Sequence, residues 1–207
     1  MYTSHACSCG GKSLPKKEIL VHQTAIVEDG AEIGDGTRIW HHVHVRRGAR
    51  LGRNCVLGKG VYIGDGVRIG DNVKIENYVS IYKGVTIEDN VFVGPHVTFT
   101  NDLCPRIERF EKWKVAETVV RKGTSIGAGS VILCGITLGR YCFVGAGSTV
   151  TQNVPDHALV YGNPAKEHGY VCFCGEILLD LQGKELPMVV ICEKCRKKIE
   201  IRPKSQG

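Results

Sequence analysis

The sequence predicts an all-β solenoid, and three observations carry that expectation. The first is a period of six: every sixth residue from Val21 to Phe99 is aliphatic or aromatic, through Ile39, Leu57, Ile75 and Val93. The second is a companion series four residues on, apolar or small, from Ala25 through Val43, Val61 and Val79 to Leu103. The third is the filling of the gaps, where Gly-Asp-Gly, Gly-Lys-Gly and Gly-Ala-Gly recur. A period of six matches neither a helix nor a simple two-faced strand. It matches short strands joined by turns and stacked as a repeat. Glycine supplies the positive φ that such turns need, and Asn or Asp tolerates it.

After an interruption the period resumes at Val120, Ile126, Ile132, Leu138, Val144 and Val150, with Thr124, Ser130, Ile136, Cys142, Ser148 and Val154 as companions. The pattern resembles the hexapeptide-repeat acyltransferases over about residues 21 to 166. That resemblance implies a left-handed parallel β-helix, with three hexapeptides in each triangular coil of roughly eighteen residues.

The chain divides accordingly. Residues 1–17 are polar, rich in Gly, Ser and Lys, and are expected to form a flexible tail. Residues 18–166 make the β-helix. Within it, residues 100–119 break the repeat: the phase jumps by 21 residues from Phe99 to Val120, against 18 for a whole coil, so chain must loop out. Long loops in a compact solenoid are usually functional. Pro155 and the segment Val160-Tyr-Gly-Asn-Pro-Ala-Lys166 end the coils. Residues 167–207 form a small appendage. Little helix is expected, with the end of the excursion and the tail as the only places for it.

The net charge of +6 suits anionic substrates and a solvated surface equally. No stripe of basic and aromatic residues favours nucleic acid. No apolar run has the length of a membrane span or a signal peptide, so a cytoplasmic protein without a membrane partner is expected.

Four of the ten cysteines form two close pairs, Cys172-Phe-Cys174 and Cys192-Glu-Lys-Cys195. Four thiolates can close a tetrahedral site around Zn²⁺ and hold together a segment too small for its own core. A structural, zinc-ribbon-like module is therefore expected, with disulfides or free thiols as the alternative. Cys7 and Cys9 look like half of another site within the tail. Cys55 and Cys142 occupy inward positions as small core residues, and Cys104 and Cys134 show no arrangement with histidine that suggests catalysis.

An eighteen-residue coil places residue n beneath n+18 at about 4.8 Å. His41, Lys59, Asn77 and Pro95 then share a column; Trp40, Gly58, Glu76 and Gly94 form the next; His42, Gly60, Tyr78 and His96 form a third. Exposed rings on a regular scaffold suggest a binding surface. Asparagine at a solenoid corner can equally serve the backbone.

The segments Trp40-His-His-Val-His-Val45, Glu76-Asn-Tyr-Val-Ser-Ile-Tyr82 and Phe99-Thr-Asn-Asp-Leu-Cys-Pro-Arg106 resemble one subfamily. Its members acetylate the 3-amino group of UDP- or dTDP-linked 3-aminosugars for surface polysaccharides. Ser125-Ile-Gly-Ala-Gly-Ser-Val and Tyr161-Gly-Asn-Pro-Ala-Lys166 are similar to the same group, as is the cysteine-rich terminus. The resemblance implies a homotrimer with active sites between neighbours and acetyl-CoA along the later coils. It implies Gly145, Asn163, Pro164 and Lys166 as coenzyme contacts. Trp40, His42, Glu76, Tyr82, Asn101, Asp102 and Arg106 would then meet the nucleotide sugar, Arg106 suiting a carboxylate or diphosphate. Asn77 and His41 are the catalytic candidates. The resemblance places Asn77 beside the attacking amine, which its oxygen can orient but not deprotonate. His41 is the competing base, but it lies two coils from Asn77, roughly 9–10 Å by strand spacing. That favours His41 in substrate contacts, with the departing thiolate taking the surplus proton.

Two other classes use the same scaffold. A γ-type carbonic anhydrase needs three histidines converging on zinc; here the imidazoles cluster at 41 to 44, with His96 three coils later. A non-catalytic scaffold would use the column of Trp40, Asn77 and Tyr82 to bind protein.

Overall fold

The computed structural model describes residues 18–108, 113–180 and 188–201. The tail 1–17, with Cys7 and Cys9, lies outside the described residues. Two-residue strands follow one another around a triangular coil. Leu20–Val21, Ile26–Val27 and Glu32–Ile33 take the three faces, and Arg38–Ile39 returns to the first. The register steps from Val21 to Ile39, Leu57 and Ile75, always parallel and always by 18. Three sheets of ten, seven and six strands result, one per face. The all-β parallel β-helix is thus present, and no helix occurs among the described residues.

The six-residue period has a simple cause. The second residue of each strand points inward, and a tight turn then carries the chain to the next face. On the first face Ile39, Leu57, Ile75, Val93, Ile126 and Val144 are at most 1% exposed. The companion positions fill the corners of the prism, and Val43, Val61, Val79 and Val97 are fully buried. Polar companions survive there because each hydroxyl finds a backbone partner, as a buried hydroxyl must. Thr37 Oγ1 donates to the Gly52 carbonyl at 2.8 Å and accepts the Cys55 N–H at 3.0 Å. Ser148 Oγ donates to the Gly145 carbonyl at 2.6 Å. Some turns leave no room for a side chain: a Cβ on Gly127 would lie 2.4 Å from the Ala146 nitrogen in the next coil.

The excursion does not sit where its length suggested. Val120 pairs with Ile87, and Phe99 pairs with Ile132. The 21-residue jump is therefore not a coil with three residues added. It replaces one ordinary step of six, from the second face to the third, so the coil containing it spans 33 residues from Ile87 to Val120. Leu103, the last of the companion series, falls inside the excursion and is 65% exposed instead of packed in a corner.

At the far end Ala158–Gly162 adds a last parallel strand to the first face, against Phe143–Val144. The chain then reverses. Ala165–Val171 and Ile177–Asp180 extend the same sheet antiparallel. The expected boundary between 166 and 167 thus falls within a strand. Met188–Ile191 and Lys198–Ile201 form a separate hairpin. Tyr170, Cys172, Cys192, Ile199 and Ile201 belong to the same buried cluster as the solenoid core.

Candidate active site

The corner between the first and second faces brings the sequence columns into register. The Gly60 N–H donates to the His41 carbonyl at 2.9 Å, Tyr78 N–H to Lys59 at 2.8 Å and His96 N–H to Asn77 at 3.0 Å. Trp40 stands beside His41, with rings near parallel at 6.4 Å, and His41 stacks on His22 at 3.6 Å. Lost hydration, then the neighbouring His22, His42 and Lys59, hold the His41 imidazole below its ordinary pKa. The ring is accordingly neutral near pH 7. Glu76 is engaged by Lys74 Nζ at 2.7 Å.

Asn77 has a duty in the fold. Its Oδ1 accepts the Lys59 N–H at 2.8 Å. Asp71, Asp89 and Asp156 use the same device, accepting the backbone N–H of Arg53, Asp71 and Arg140 from the preceding coil. Asn77 keeps the second lone pair of Oδ1 and an amide NH₂ that a carboxylate lacks.

The turn position held by Gly60, Gly129 and Gly147 in other coils carries His42, Tyr78 and His96 here, with φ of 56°, 58° and 60°. Ring-bearing residues rarely adopt this left-handed backbone, and such residues cluster at functional sites. Tyr78 and His96 stack at 5.3 Å, and Lys59 Nζ sits 5.7 Å from the Tyr78 ring centre. The Tyr78 ring lies over Gly60, where an added Cβ would meet it at 2.6 Å. Gly60→Ala is expected to displace Tyr78 and so to weaken substrate binding more than turnover, and to lower stability because φ at Gly60 is left-handed at 68°. A kcat against KM split in the acetyl-transfer assay proposed below, together with a melting curve, checks this.

Tyr82, Asn101, Asp102 and Arg106 lie elsewhere. They fall on the corner between the second and third faces, so Tyr82 does not share a column with Trp40 and Asn77. Asp102 Oδ1 accepts the Cys104 N–H at 3.0 Å, and Arg106 Nη1 donates to the Pro105 carbonyl at 3.3 Å. The outward side of the second face joins the two corners through His44 of the histidine cluster and through Tyr62, Glu28 and Arg46, which the sequence did not single out. Tyr62 lies 5.5 Å from the Tyr82 ring and 5.7 Å, edge-on, from His44. His44 Nε2 meets Glu28 at 2.8 Å, and Arg46 Nε comes within 2.7 Å of the same carboxylate. His44 first, then the Arg47 N–H and Arg46, hold the Glu28 carboxyl below the usual range, against the partial loss of hydration. The step of 18 from His44 to Tyr62 was the available signal.

Further along the first corner, Gly127-Ala-Gly129 and Gly145-Ala-Gly147 present a bare strip. Tyr161 closes it, its Cβ 2.7 Å from where a Cβ on Gly145 would stand, and its ring stacks on His168 at 3.6 Å. Lys166 pairs with Tyr161 across the hairpin whose tip holds Asn163 and Pro164.

The sulfur atoms of Cys172, Cys174, Cys192 and Cys195 lie within 4.8 Å of one another. Cys172 and Cys195 approach to 3.3 Å, and Cys174 and Cys192 to 3.7 Å. A tetrahedral zinc with Zn–S bonds of about 2.3 Å needs sulfurs about 3.8 Å apart, so the donor set fits. The N–H of Cys195 draws the Cys192 thiol down to about 7, while burial pushes Cys172 up to about 12. A dication would draw all four to thiolate.

Comparison with known proteins agrees with the scaffold. The family described as bacterial transferase hexapeptide (six repeats) matches residues 30–65, 66–101 and 117–152, together more than half of the chain. The chain is similar to dTDP-3-amino-3,6-dideoxy-alpha-D-galactopyranose 3-N-acetyltransferase of Aneurinibacillus thermoaerophilus, 61% identical over 57 residues. That match spans 28% of this chain and 30% of the relative. It is also similar to galactoside O-acetyltransferase of Lactococcus lactis, 28% identical over 37% of this chain and 42% of the relative. The chain thus spans less than half the length of these relatives. Among solved structures it resembles a hexapeptide-repeat acetyltransferase of Vibrio cholerae, complexed with acetyl coenzyme A. The identity is 30% and the TM-score 0.52, over 59% of this chain and 70% of that one. No helix of the described residues is long and apolar enough to cross a membrane. The chain belongs to the bacterial transferase hexapeptide family.

Proposed function

We propose that this protein moves an acetyl group from acetyl-CoA to the 3-amino group of a UDP- or dTDP-linked 3-aminosugar. The observation that carries the proposal is the first corner, where ring-bearing residues take left-handed turn positions beside Asn77. The 3-N-acetyltransferase relative supports the acceptor, and the Vibrio structure with acetyl coenzyme A supports the donor.

In this scheme the bare strip from Gly145 to Gly127 takes the extended arm of the coenzyme, with Lys166, Asn163 and Pro164 at its outer end. Asn77 accepts a hydrogen bond from the sugar amine through its second lone pair and aims the nitrogen at the thioester. The nitrogen attacks the carbonyl carbon, the carbon–sulfur bond breaks, and the thiolate leaves with the proton lost by nitrogen. Trp40, neutral His41, His42, Glu76 and the Tyr78–His96 stack hold the nucleotide sugar. The second corner, with Tyr82, Asn101, Asp102 and Arg106, forms the opposing wall when prisms pack side by side as a homotrimer. Work on a nucleotide sugar fits a cytoplasmic setting.

Release of free thiol from acetyl-CoA in the presence of UDP- and dTDP-linked 3-aminosugars tests the assignment. No release with either series would end it.

We further propose that the four cysteines hold one structural zinc. Metal analysis is expected to find about one zinc per chain. Cys192→Ser or a strong chelator should remove it and lower the melting temperature, because binding energy at such a site is folding energy.

A further inference from the structure

The first corner changes its chemistry coil by coil, and the order has a direction. Successive turns carry Trp40-His41-His42, then Gly58-Lys59-Gly60, then Glu76-Asn77-Tyr78, each about 4.8 Å beyond the last. One turn earlier stands His22, 18 residues before Trp40 in the same register. Rings therefore come first, a cation next and the amide last.

The rings form a shelf. His22 lies face to face with His41 at 3.6 Å, and the plane of Trp40 is within 8° of that of His41. Trp40 is 38% exposed, so the shelf keeps a flat surface on which a further ring can stack. The fold also fixes a donor beside it. The Thr24 N–H donates to His22 Nδ1 at 3.2 Å, and the Thr24 hydroxyl, which accepts the His42 N–H at 3.0 Å, lies 3.0 Å from the same nitrogen. Nδ1 is thus an acceptor, and Nε2 carries the ring proton. That N–H has no partner among the described residues, and it suits a carbonyl oxygen such as those on the edge of uracil or thymine.

Lys59 belongs to the turn between the shelf and Asn77. It is exposed, and the glycines on either side leave it the only side chain there. Those glycines are required, since a Cβ on Gly58 would lie 2.6 Å from Asn77 Oδ1 and one on Gly60 would meet the Tyr78 ring. Lys59 makes no ion pair among the described residues, and Glu76, the carboxylate of the adjoining column, is engaged by Lys74 at 2.7 Å. The Lys59 charge bears on the Tyr78 ring, 5.7 Å away, and on the His41 imidazole. In the other direction from Asn77 the next turns are Gly94-Pro95-His96 and Gly127-Ala128-Gly129, which hold no cation.

A nucleotide-linked sugar has the same order of parts: a flat base, a diphosphate and a hexose. With its amine at Asn77, only one direction along the corner offers a cation to the phosphates and rings to the base. We propose that the nucleotide sugar lies along this corner with its base on the shelf of His22, His41 and Trp40 and its diphosphate at Lys59. His22 and Lys59 thereby join the residues that bind the nucleotide. The inference rests on the acetyl-transfer reading for the place of the amine.

Calorimetric titration of the intact protein with UDP, dTDP, inorganic pyrophosphate and coenzyme A tests it without turnover. UDP or dTDP is expected to bind saturably and more tightly than pyrophosphate. Lys59→Ala should weaken that nucleotide at least tenfold, and Lys59→Arg should restore most of the loss. His22→Ala should weaken it at least fivefold. Coenzyme A should bind all three variants as it binds the wild type. Nucleotide affinity unchanged in either alanine variant would overturn the proposal, as would the absence of nucleotide binding to the wild type. So would pyrophosphate binding as tightly as the nucleotides, since the rings would then contribute nothing. Loss of coenzyme A affinity in either alanine variant would assign the corner to the coenzyme and equally end the claim. Thiol release separates the two readings. Release by the wild type, with nucleotide affinity unchanged in the variants, strikes this inference alone. Nucleotide binding that the variants weaken, without thiol release by the wild type, strikes the acetyl-transfer reading and leaves the nucleotide subsite standing.

Discussion

Asn77→Asp should leave the fold intact and cut turnover at least tenfold. The carboxylate keeps an oxygen for the Lys59 N–H, as Asp71 and Asp89 do for their own coils. It lacks the amide NH₂, and its negative charge stabilises the ammonium form of the sugar amine, which cannot attack. Asn77→Ala loses the backbone bond as well, at a cost of about 1 kcal/mol. The pair of variants therefore separates the two duties: Ala lowers both stability and kcat, Asp lowers kcat alone. Unchanged kcat in both would remove Asn77 from the reaction and leave it a corner residue.

His41 gives a contrasting pattern, since it lies two coils away. Its replacement by Ala should raise KM more than it lowers kcat. In the proposed scheme the neutral ring makes the contact, and its pKa is depressed. The wild-type KM should therefore hold steady as pH falls past the ordinary imidazole value and rise only when the depressed value is crossed. His41→Ala should lack that inflection. A KM against pH profile for the two proteins settles the matter.

The largest effect on stability is expected from Phe99→Ala. Phe99 is fully buried, pairs with Ile132 and is the last inward side chain before the excursion. Removing a buried ring of this size costs about 3–5 kcal/mol, from lost burial and the cavity left behind. The next residue, Thr100, accepts the Cys134 N–H at 2.9 Å and so pins the start of the excursion. Urea denaturation should show the loss directly. Substrate KM should rise as well, because Asn101 and Asp102 hang from that anchor.

The sequence by itself determined the repeat, because each strand contributes one buried side chain and each turn has a fixed length. Six residues per face and 18 per coil follow, and with them the columns of His41 with Asn77 and Tyr78 with His96. The four-cysteine grouping was also legible, since two short spacings need only one reversal of the chain to meet. Tertiary structure alone decided what lies beside what across faces. An insertion resets the count between neighbouring coils without disturbing the local period, so only the pairing of Ile87 with Val120 shows that the excursion rejoins on the third face. The place of Tyr82 one face away from Trp40 was already in the count, since 42 residues are two coils and one further step of six. It was, however, beyond the sequence that Asn77 already serves the Lys59 N–H and that Tyr78 lies over Gly60. The continuation of the first sheet into the cysteine module was hidden as well. Side-chain partnership depends on rotamers and on coils far apart in the chain, and no periodicity encodes it.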